Sequence, residues 1–440
     1  MELESTKIFP KEQHLDYYKE EINQKNKMIK VEYNNQFKYN EQNKNIIYEK
    51  QFDFTIMTYN ILADYYEPYQ WMVQFNPEYI KFEYRRKQII ERIKNLSPDI
   101  ICLQEVDEYE SFYKQQLENL GYISEYQQKD QKVEGILIGV KKEKFKIVEK
   151  QIIKLNEDIK DIKFLSNKLQ KKIFKPQVAM IIIAEVLGLK QEQKQQISIC
   201  NTHLFWDPKQ VYCKYLQACH ILDIFNNKLS KDQQQNLVFC GDLNSIQKCD
   251  TTALFHHKKR PCFENILPSE QINVKQAHMN DMQKIYDHYI NKFDKIELET
   301  VYNDDFQIYN ESKQNEQINV EQSQKQTQNE QNGTILQCTE DQQENGVQNK
   351  DDQNDQYELN WYGQKKVRPV TCFHPTRLLN LDYIYFNKNS ESLKLEKVLK
   401  LPNIERDVLV QGCNFIMPNK FEGSDHFPLM AEFSILSRKQ

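Results

Sequence analysis

Glycine is scarce in this 440-residue chain: there are ten, and no two stand as Gly-x-Gly. That excludes the dinucleotide-binding fingerprint and the Walker phosphate loop, which both need clustered glycines where backbone meets phosphate. None of the ten cysteines forms a Cys-x-x-Cys pair. Several sit in apolar runs, so neither a zinc ribbon nor a disulfide frame is expected, and the thiols read as reduced and intracellular. The longest apolar stretch, 178–189, is broken by Glu185 and is too short to span a bilayer. A basic excess is also missing, with 59 Lys and Arg against 64 Asp and Glu, a net of -5. Contact with nucleic acid must then come from a local patch or a bound cation. The acidic start, Met1 to Glu4, is unlike a signal or transit peptide. A cytoplasmic or nuclear protein is expected.

What is present falls into three stretches. Residues 1–50 are rich in Lys, Asn, Gln and Glu and read as a weakly ordered extension. Residues 51–440 read as one catalytic domain. Within it, 311–356 hold 13 Gln and no aromatic residue, which predicts a disordered insertion looping out of the domain. The rest alternates apolar runs with helical patterns. Strands are expected at 54–57, 100–103, 135–140, 178–186, 197–200, 237–240, 381–386 and 429–435. A helix is expected from Pro77, with Phe82, Ile89, Ile93 and Leu96 on one face, stopped at Ser97-Pro98. A second is expected after Pro208, through Val211, Tyr215, Ala218, Leu222 and Phe225. Interleaving of this kind suggests a layered α/β domain.

The ends of the apolar runs carry the chemistry. Four runs close on Asn60, on Glu105, on His203, and on Asp242 with Asn244, and Asp425-His426 stands before the last strand. Each alone has a bland reading as a turn residue, a lysine partner or a core histidine. Jointly they are hard to credit to chance, because strands emerging at one rim would make them converge. A hard cation takes a carboxylate and keeps most of its waters. An Asp beside an Asn gives a base for water and an amide donor for a phosphate oxygen. A His supported by an Asp can stay protonated beside an oxyanion. Together these are parts of a metal-assisted phosphodiester hydrolase. Five lysines (Lys163, Lys168, Lys171, Lys172, Lys175) lie in 162–184 without an acid, and read equally well as a solvated loop or a strand-guiding patch. Lys141, Lys142, Lys144 and Lys146 are a weaker second candidate.

Six blocks carry a resemblance: Thr58-Tyr59-Asn60-Ile61-Leu62-Ala63-Asp64, Leu103-Gln104-Glu105-Val106-Asp107, Asn201-Thr202-His203 through Trp206-Asp207-Pro208, Gly241-Asp242-Leu243-Asn244, Leu381-Asp382-Tyr383, and Ser424-Asp425-His426-Phe427-Pro428. In this order, over about 52–434, the chain resembles the endonuclease/exonuclease/phosphatase superfamily. With Lys214 and Gln217 it is most similar to the deadenylase-type branch, which holds carbon-catabolite-repression deadenylases, nocturnin, Angel proteins and 2′-phosphodiesterase. The resemblance implies a deoxyribonuclease I-like four-layer α/β sandwich of two packed mixed sheets flanked by helices. It implies Mg²⁺, with Mn²⁺ as a substitute, held by Glu105 with Asp425 as an outer ligand. It implies Asp242 as the base, Asn60 and Asn244 on the scissile phosphate, His203 and His426 stabilising its charge, and Asp382 orienting His426. Pro208 would pack one face of a substrate base, with Lys214 and Arg377 as further substrate contacts.

Two positions depart from the branch. Arg377 stands where an aromatic usually stacks the other face of the base; a guanidinium can also stack. Glu134-Gly135 stands where deadenylases read Asp-Gly, which leans toward 2′-phosphodiesterase. No leucine-rich repeats precede the domain, so the docking module of complex-bound deadenylases is not expected. The resemblance implies a 3′-exoribonuclease acting on poly(A)-like RNA or 2′,5′-oligoadenylate, and no membrane partner. The alternatives are a phosphatase of a small nucleotide-like metabolite and a non-catalytic RNA-binding scaffold with the same fold.

Overall fold

Buried strands explain why so many apolar runs lack clean alternation: they are covered on both faces. The computed structural model describes residues 28–33, 48–66, 77–155, 157, 162–163, 167–189, 194–247, 249–257, 280, 283–293, 296–302, 306–308, 371–374, 377–401 and 417–438. In chain order the first strands are β1 (Met28–Tyr33), β2 (Tyr48–Asn60), β3 (Ile100–Val106), β4 (Tyr122–Gln128) and β5 (Gly135–Lys141). Next come β6 (Phe145–Lys154), β7 (Val178–Val186), β8 (Gln196–His203), β9 (Leu237–Asp242) and β10 (Leu298–Thr300). The last are β11 (Phe306–Ile308), β12 (Cys372–His374), β13 (Arg377–Leu379), β14 (Asp382–Asn387), β15 (Leu393–Leu399) and β16 (Leu429–Arg438). The helices used below are α1 (Phe82–Leu96), α2 (Asn167–Ile173), α3 (Val211–Asn227) and α4 (Asp250–His257).

One sheet runs β11-β1-β15-β16-β2-β3-β5-β4 and the other β10-β14-β9-β8-β7-β6. Both are mixed, with β2–β3 and β8–β9 parallel and the other pairs antiparallel. Along β2 and β3, Phe54, Ile56, Ile100 and Cys102 face the second sheet and meet Met180, Ile182, Ile199 and Val238. The alternate residues Met57, Tyr59, Ile101 and Leu103 face outward against Ile89, Ile93 and Leu96 of α1. On the far side, Cys200, Phe239, Tyr383 and Tyr385 meet Ile221, Leu222 and Phe225 of α3. Helix, sheet, sheet and helix make the four-layer α/β sandwich. All eight expected strands lie in observed ones to within a residue, and α1 stops at Ser97, in a left-handed conformation (φ 45°).

The expected boundary after residue 50 needs correction. Residues 28–33 are a strand inside the first sheet, pairing with β15 and β11, and β2 already begins at Tyr48. Met28-Ile29-Lys30-Val31-Glu32-Tyr33 carries apolar residues among Lys and Asn neighbours, so composition hid a strand. The 311–356 segment lies outside the described residues.

One buried ion pair ties α1 to the loop before β16: Arg92 pairs with Glu422, their side chains 6% and 0% exposed, with the guanidinium over the Phe427 ring. Breaking a buried pair leaves an uncompensated charge. Glu422→Gln is therefore expected to destabilise the chain by about 3–5 kcal/mol, read as a lower urea midpoint at unchanged slope. A midpoint within experimental scatter of wild type would contradict this.

Candidate active site

Register builds the site. His203 ends β8, Asp242 ends β9 and Asp382 begins β14, and the ladder sets them side by side: His203 pairs with Asp242, and Asp242 with Asp382. Period-two alternation puts all three on the face toward the other sheet, with Val238, Cys240 and Ile384. Close approach of β8 and β9 depends on Gly241, where a Cβ would stand 2.3 Å from the Thr202 carbonyl oxygen. From the opposing sheet, Asn60 ends β2 on the matching face. Its Nδ2 donates to Asp242 Oδ2 at 2.9 Å and to Glu105 Oε1 at 3.0 Å, joining the two sheets.

Glu105 reaches this spot against its parity. It follows Leu103 by two residues and would otherwise face α1. Its backbone is left-handed (φ 59°), and the β3–β5 register shifts between Gln104 and Val106. That bulge turns the carboxylate inward, where Ala63 N–H also donates to Oε2 at 3.1 Å. Asn244 has the same backbone hand (φ 47°), its N–H bonded to Asp242 Oδ1 at 2.8 Å. Asn244 Nδ2 lies 2.9 Å from His203 Nε2.

His426 arrives from the β16 side, its Nδ1 2.7 Å from Asp382 Oδ2 and its Nε2 3.8 Å from Asp242 Oδ2. Thr371 Oγ1 accepts from the Asp382 N–H, and Ser424 donates to the Asn60 carbonyl, so both loops are pinned. Arg85 of α1, 1% exposed, donates to the carbonyls of Leu62 and Gly423 and braces the same two loops.

The electrostatics divide the two histidines. Burial alone would lower His426, but the Asp382 carboxylate, with Cys372 and Asp425, raises its pKa well above the usual value. Burial lowers His203 well below the usual value, helped by the Lys129 and His426 charges. The surroundings thus favour the charged form of His426 and the neutral form of His203. Burial, then Glu134 and Asp425, pushes Glu105 up to about 7. Burial, then Asp382, pushes Asp242 up to about 6, against His426 and Asn60.

These groups suit a divalent cation. Acidic side chains outnumber cationic ones in the pocket, and Asp425 Oδ1, Asp382 Oδ1 and Glu134 Oε2 are buried without hydrogen-bond partners. Oxygen donors of this kind match a hard ion. Two groups bring ligand-type atoms within 4.8 Å of one another: Cys372, Asp425 and His426, and Asp242, Asp382 and His426. In the second group His426 Nδ1 is already paired with Asp382, which makes it an acid–base array. Glu105 belongs to neither, yet burial and the Glu134 and Asp425 charges disfavour its bare anion.

Of the expected substrate contacts, Pro208 is exposed beside Trp206, which is 65% exposed. Gln217 Oε1 accepts from the Phe205 N–H and holds that loop. Lys214 is buried, and its ammonium donates to the Asn244 carbonyl at 2.6 Å, bracing Asn244 from behind. Arg377 pairs with His374 in the β12–β13 hairpin, whose Cys372 bridges His426; the Arg377 side chain lies outside the described residues. Of the first lysine group, Lys163 and Lys171 are exposed, Lys175 lies over the Phe205 ring, and the side chains of Lys168 and Lys172 are outside the described residues. In the second group, Lys141 donates to the Leu120 carbonyl and Lys144 pairs with Asp99. Arg85, Lys129 and Thr371 were not expected at the site, and Ser424 stood only as a member of the Asp425-His426 block. Arg85, Lys129 and Ser424 reach partners 23 to 364 positions away, which leaves no local signal.

Two packed mixed sheets flanked by helices are a fold this chain shares with solved structures of ANGEL2. The chain's sequence matches lie in the deadenylase-type branch. The chain is 34% identical over 214 residues to the probable CCR4-Not complex 3′-5′-exoribonuclease subunit Ccr4 of Vairimorpha ceranae, covering 44% of this chain and 42% of that protein. It is 29% identical over 221 residues to carbon catabolite repressor protein 4 homolog 4 of Arabidopsis thaliana, covering 44% and 53%. The chain thus spans about half the length of the curated relatives it matches. Among solved structures it is similar to ANGEL2, described as a 2′,3′-cyclic phosphatase, with TM-score 0.58, 19% identity, and 88% and 97% of the two chains covered. No family model matches the chain. Among the described residues, no helix is long and apolar enough to cross a membrane.

Proposed function

We propose that this chain is a Mg²⁺-dependent phosphodiesterase that removes nucleotides from the 3′ end of poly(A)-like RNA, in cytoplasmic mRNA decay. The observation that supports it most is the row His203, Asp242 and Asp382 facing Asn60 and Glu105 across the sheets. A base, amide donors and a charged imidazole surround one buried spot, in a chain similar to 3′-5′-exoribonuclease subunits.

Glu105 and Asp425 would hold the cation, with Mn²⁺ able to replace Mg²⁺, and the bound ion would supply positive charge to phosphate oxygens. Asp242, raised toward 6 yet ionised at neutral pH, takes the proton of the attacking water. His426, kept charged by Asp382, donates to the phosphate as negative charge grows. Asn60 orients Asp242 and Glu105 together, and Asn244 offers its amide to a phosphate oxygen. Pro208 would face the terminal base, with Arg377 on the hairpin opposite.

Glu134-Gly135 keeps the 2′,5′ linkage in play as a second substrate. The test is purified chain with Mg²⁺ against 3′,5′-oligoadenylate, 2′,5′-oligoadenylate, oligouridylate and NADPH. Turnover of 3′,5′-oligoadenylate ahead of oligouridylate and NADPH is expected. Dephosphorylation of NADPH without cleavage of either oligoadenylate would replace the nuclease reading with the small-metabolite phosphatase.

A further inference from the structure

Glu134, off-pattern in the sequence, is explained by what it holds. The turn between β4 and β5 is closed by Lys129 N–H donating to the Glu134 carbonyl at 3.1 Å. Gly135 permits it, since a Cβ there would stand 2.2 Å from the Gln127 oxygen. The turn sets the two side chains together: Lys129 Nζ pairs with Glu134 Oε1 at 2.8 Å, both about 97% buried or more. Tyr66 donates to the same Oε1 at 3.3 Å. The ammonium then reaches the site, 3.0 Å from His203 Nδ1.

An ammonium has donors only. Next to it, Nδ1 must present its lone pair, and a neutral ring then carries its proton on Nε2. That nitrogen lies 2.9 Å from Asn244 Nδ2, 3.7 Å from Asp242 Oδ2 and 4.0 Å from Glu105 Oε1. Asn244 Nδ2 is itself a donor, one hydrogen going to the Leu204 carbonyl at 3.0 Å. Nε2–H and the second amide hydrogen therefore meet with no acceptor between them. Two adjacent donors lacking an acceptor fit one anionic oxygen.

We propose that Lys129, held by Glu134, is a positioning residue that fixes His203 as the neutral Nε2–H tautomer and makes it a donor paired with Asn244. His203 is then neither a second imidazolium nor a base. The consequence for turnover rests on the hydrolase reading; the tautomer does not.

The experiment uses the full chain labelled with ¹⁵N-histidine, without metal, and long-range ¹H–¹⁵N correlation NMR. The His203 signals among the nine histidines are identified by their loss in His203→Asn. Wild type is expected to show a protonated Nε2 and a bare Nδ1. Lys129→Met should lose that pattern, whereas Lys129→Arg, still donor-only, should keep it. Outer-shell partners of this kind typically change activity about 10–100-fold. Lys129→Met should lose about that much in kcat on oligoadenylate with KM little changed, and Lys129→Arg should recover part of it. A wild-type ring protonated on Nδ1, or on both nitrogens, overturns the proposal even where Lys129→Met does not fold. An unaltered pattern in a folded Lys129→Met overturns it equally. The expected tautomer in a chain with no phosphodiesterase activity would leave it standing and sink the hydrolase reading instead.

Discussion

Asp242→Asn is expected to reduce kcat on oligoadenylate by about 10²–10⁴-fold, the usual contribution of a positioned general base. The substitution is nearly isosteric, so Asn244 N–H can still donate to the retained side-chain oxygen, while the new amide nitrogen takes the place of the oxygen that accepts from Asn60 and that one bond is lost. What is lost is a proton acceptor that faces both imidazoles, 3.7 Å from His203 and 3.8 Å from His426. RNA affinity should be unchanged or higher, since one negative charge leaves a site for an anion. The measurement is single-turnover cleavage beside equilibrium binding of a labelled oligoadenylate. Wild-type cleavage in this variant would end the assignment of the base.

Glu105→Gln should act on the metal requirement. Burial, then the Glu134 and Asp425 charges, pushes this carboxylate up to about 7 despite the Asn60 amide and the Lys129 charge, so its anion is best stabilised by a bound cation. Taking one charge from beside a cation costs roughly 1–4 kcal/mol over the range from bulk water to a protein surface. The metal concentration for half-maximal activity should then rise by about five- to several-hundred-fold. Activity should approach wild type at saturating metal more closely than in Asp242→Asn. A metal-titration curve superimposable on wild type would move the ion away from Glu105.

The legible part of this site was the set of strands that end on a polar residue. Asn60, His203 and Asp242 close buried runs, and cross-strand register then makes them neighbours, so apolar pattern and fold point to one spot. Glu105 was legible as a residue but not as a direction. Its inward turn depends on a bulge at φ 59°, which alternation alone does not encode. Lys214 was legible as a residue of the site only through the resemblance, and its contact with the Asn244 carbonyl, 30 positions away, is visible only in the fold. Lys129 meets His203 across 74 positions and Arg85 meets Gly423 across 338, separations at which only the fold shows the pair. Strands β4, β6 and β15 carry Lys, Glu and Gln at alternate or exposed positions, so their apolar content was diluted below a visible run.

The central claim is that this rim hydrolyses phosphodiester bonds from a 3′ end with the help of a divalent cation. Its most direct measurement is gel analysis of 5′-labelled oligoadenylate incubated with the purified chain and Mg²⁺, with chelator and Asp242→Asn as controls. A ladder shortened one nucleotide at a time, release of 5′-AMP, and no ladder in either control are expected. An intact substrate in Mg²⁺ and Mn²⁺, or a ladder that persists in chelator and in Asp242→Asn, would contradict it.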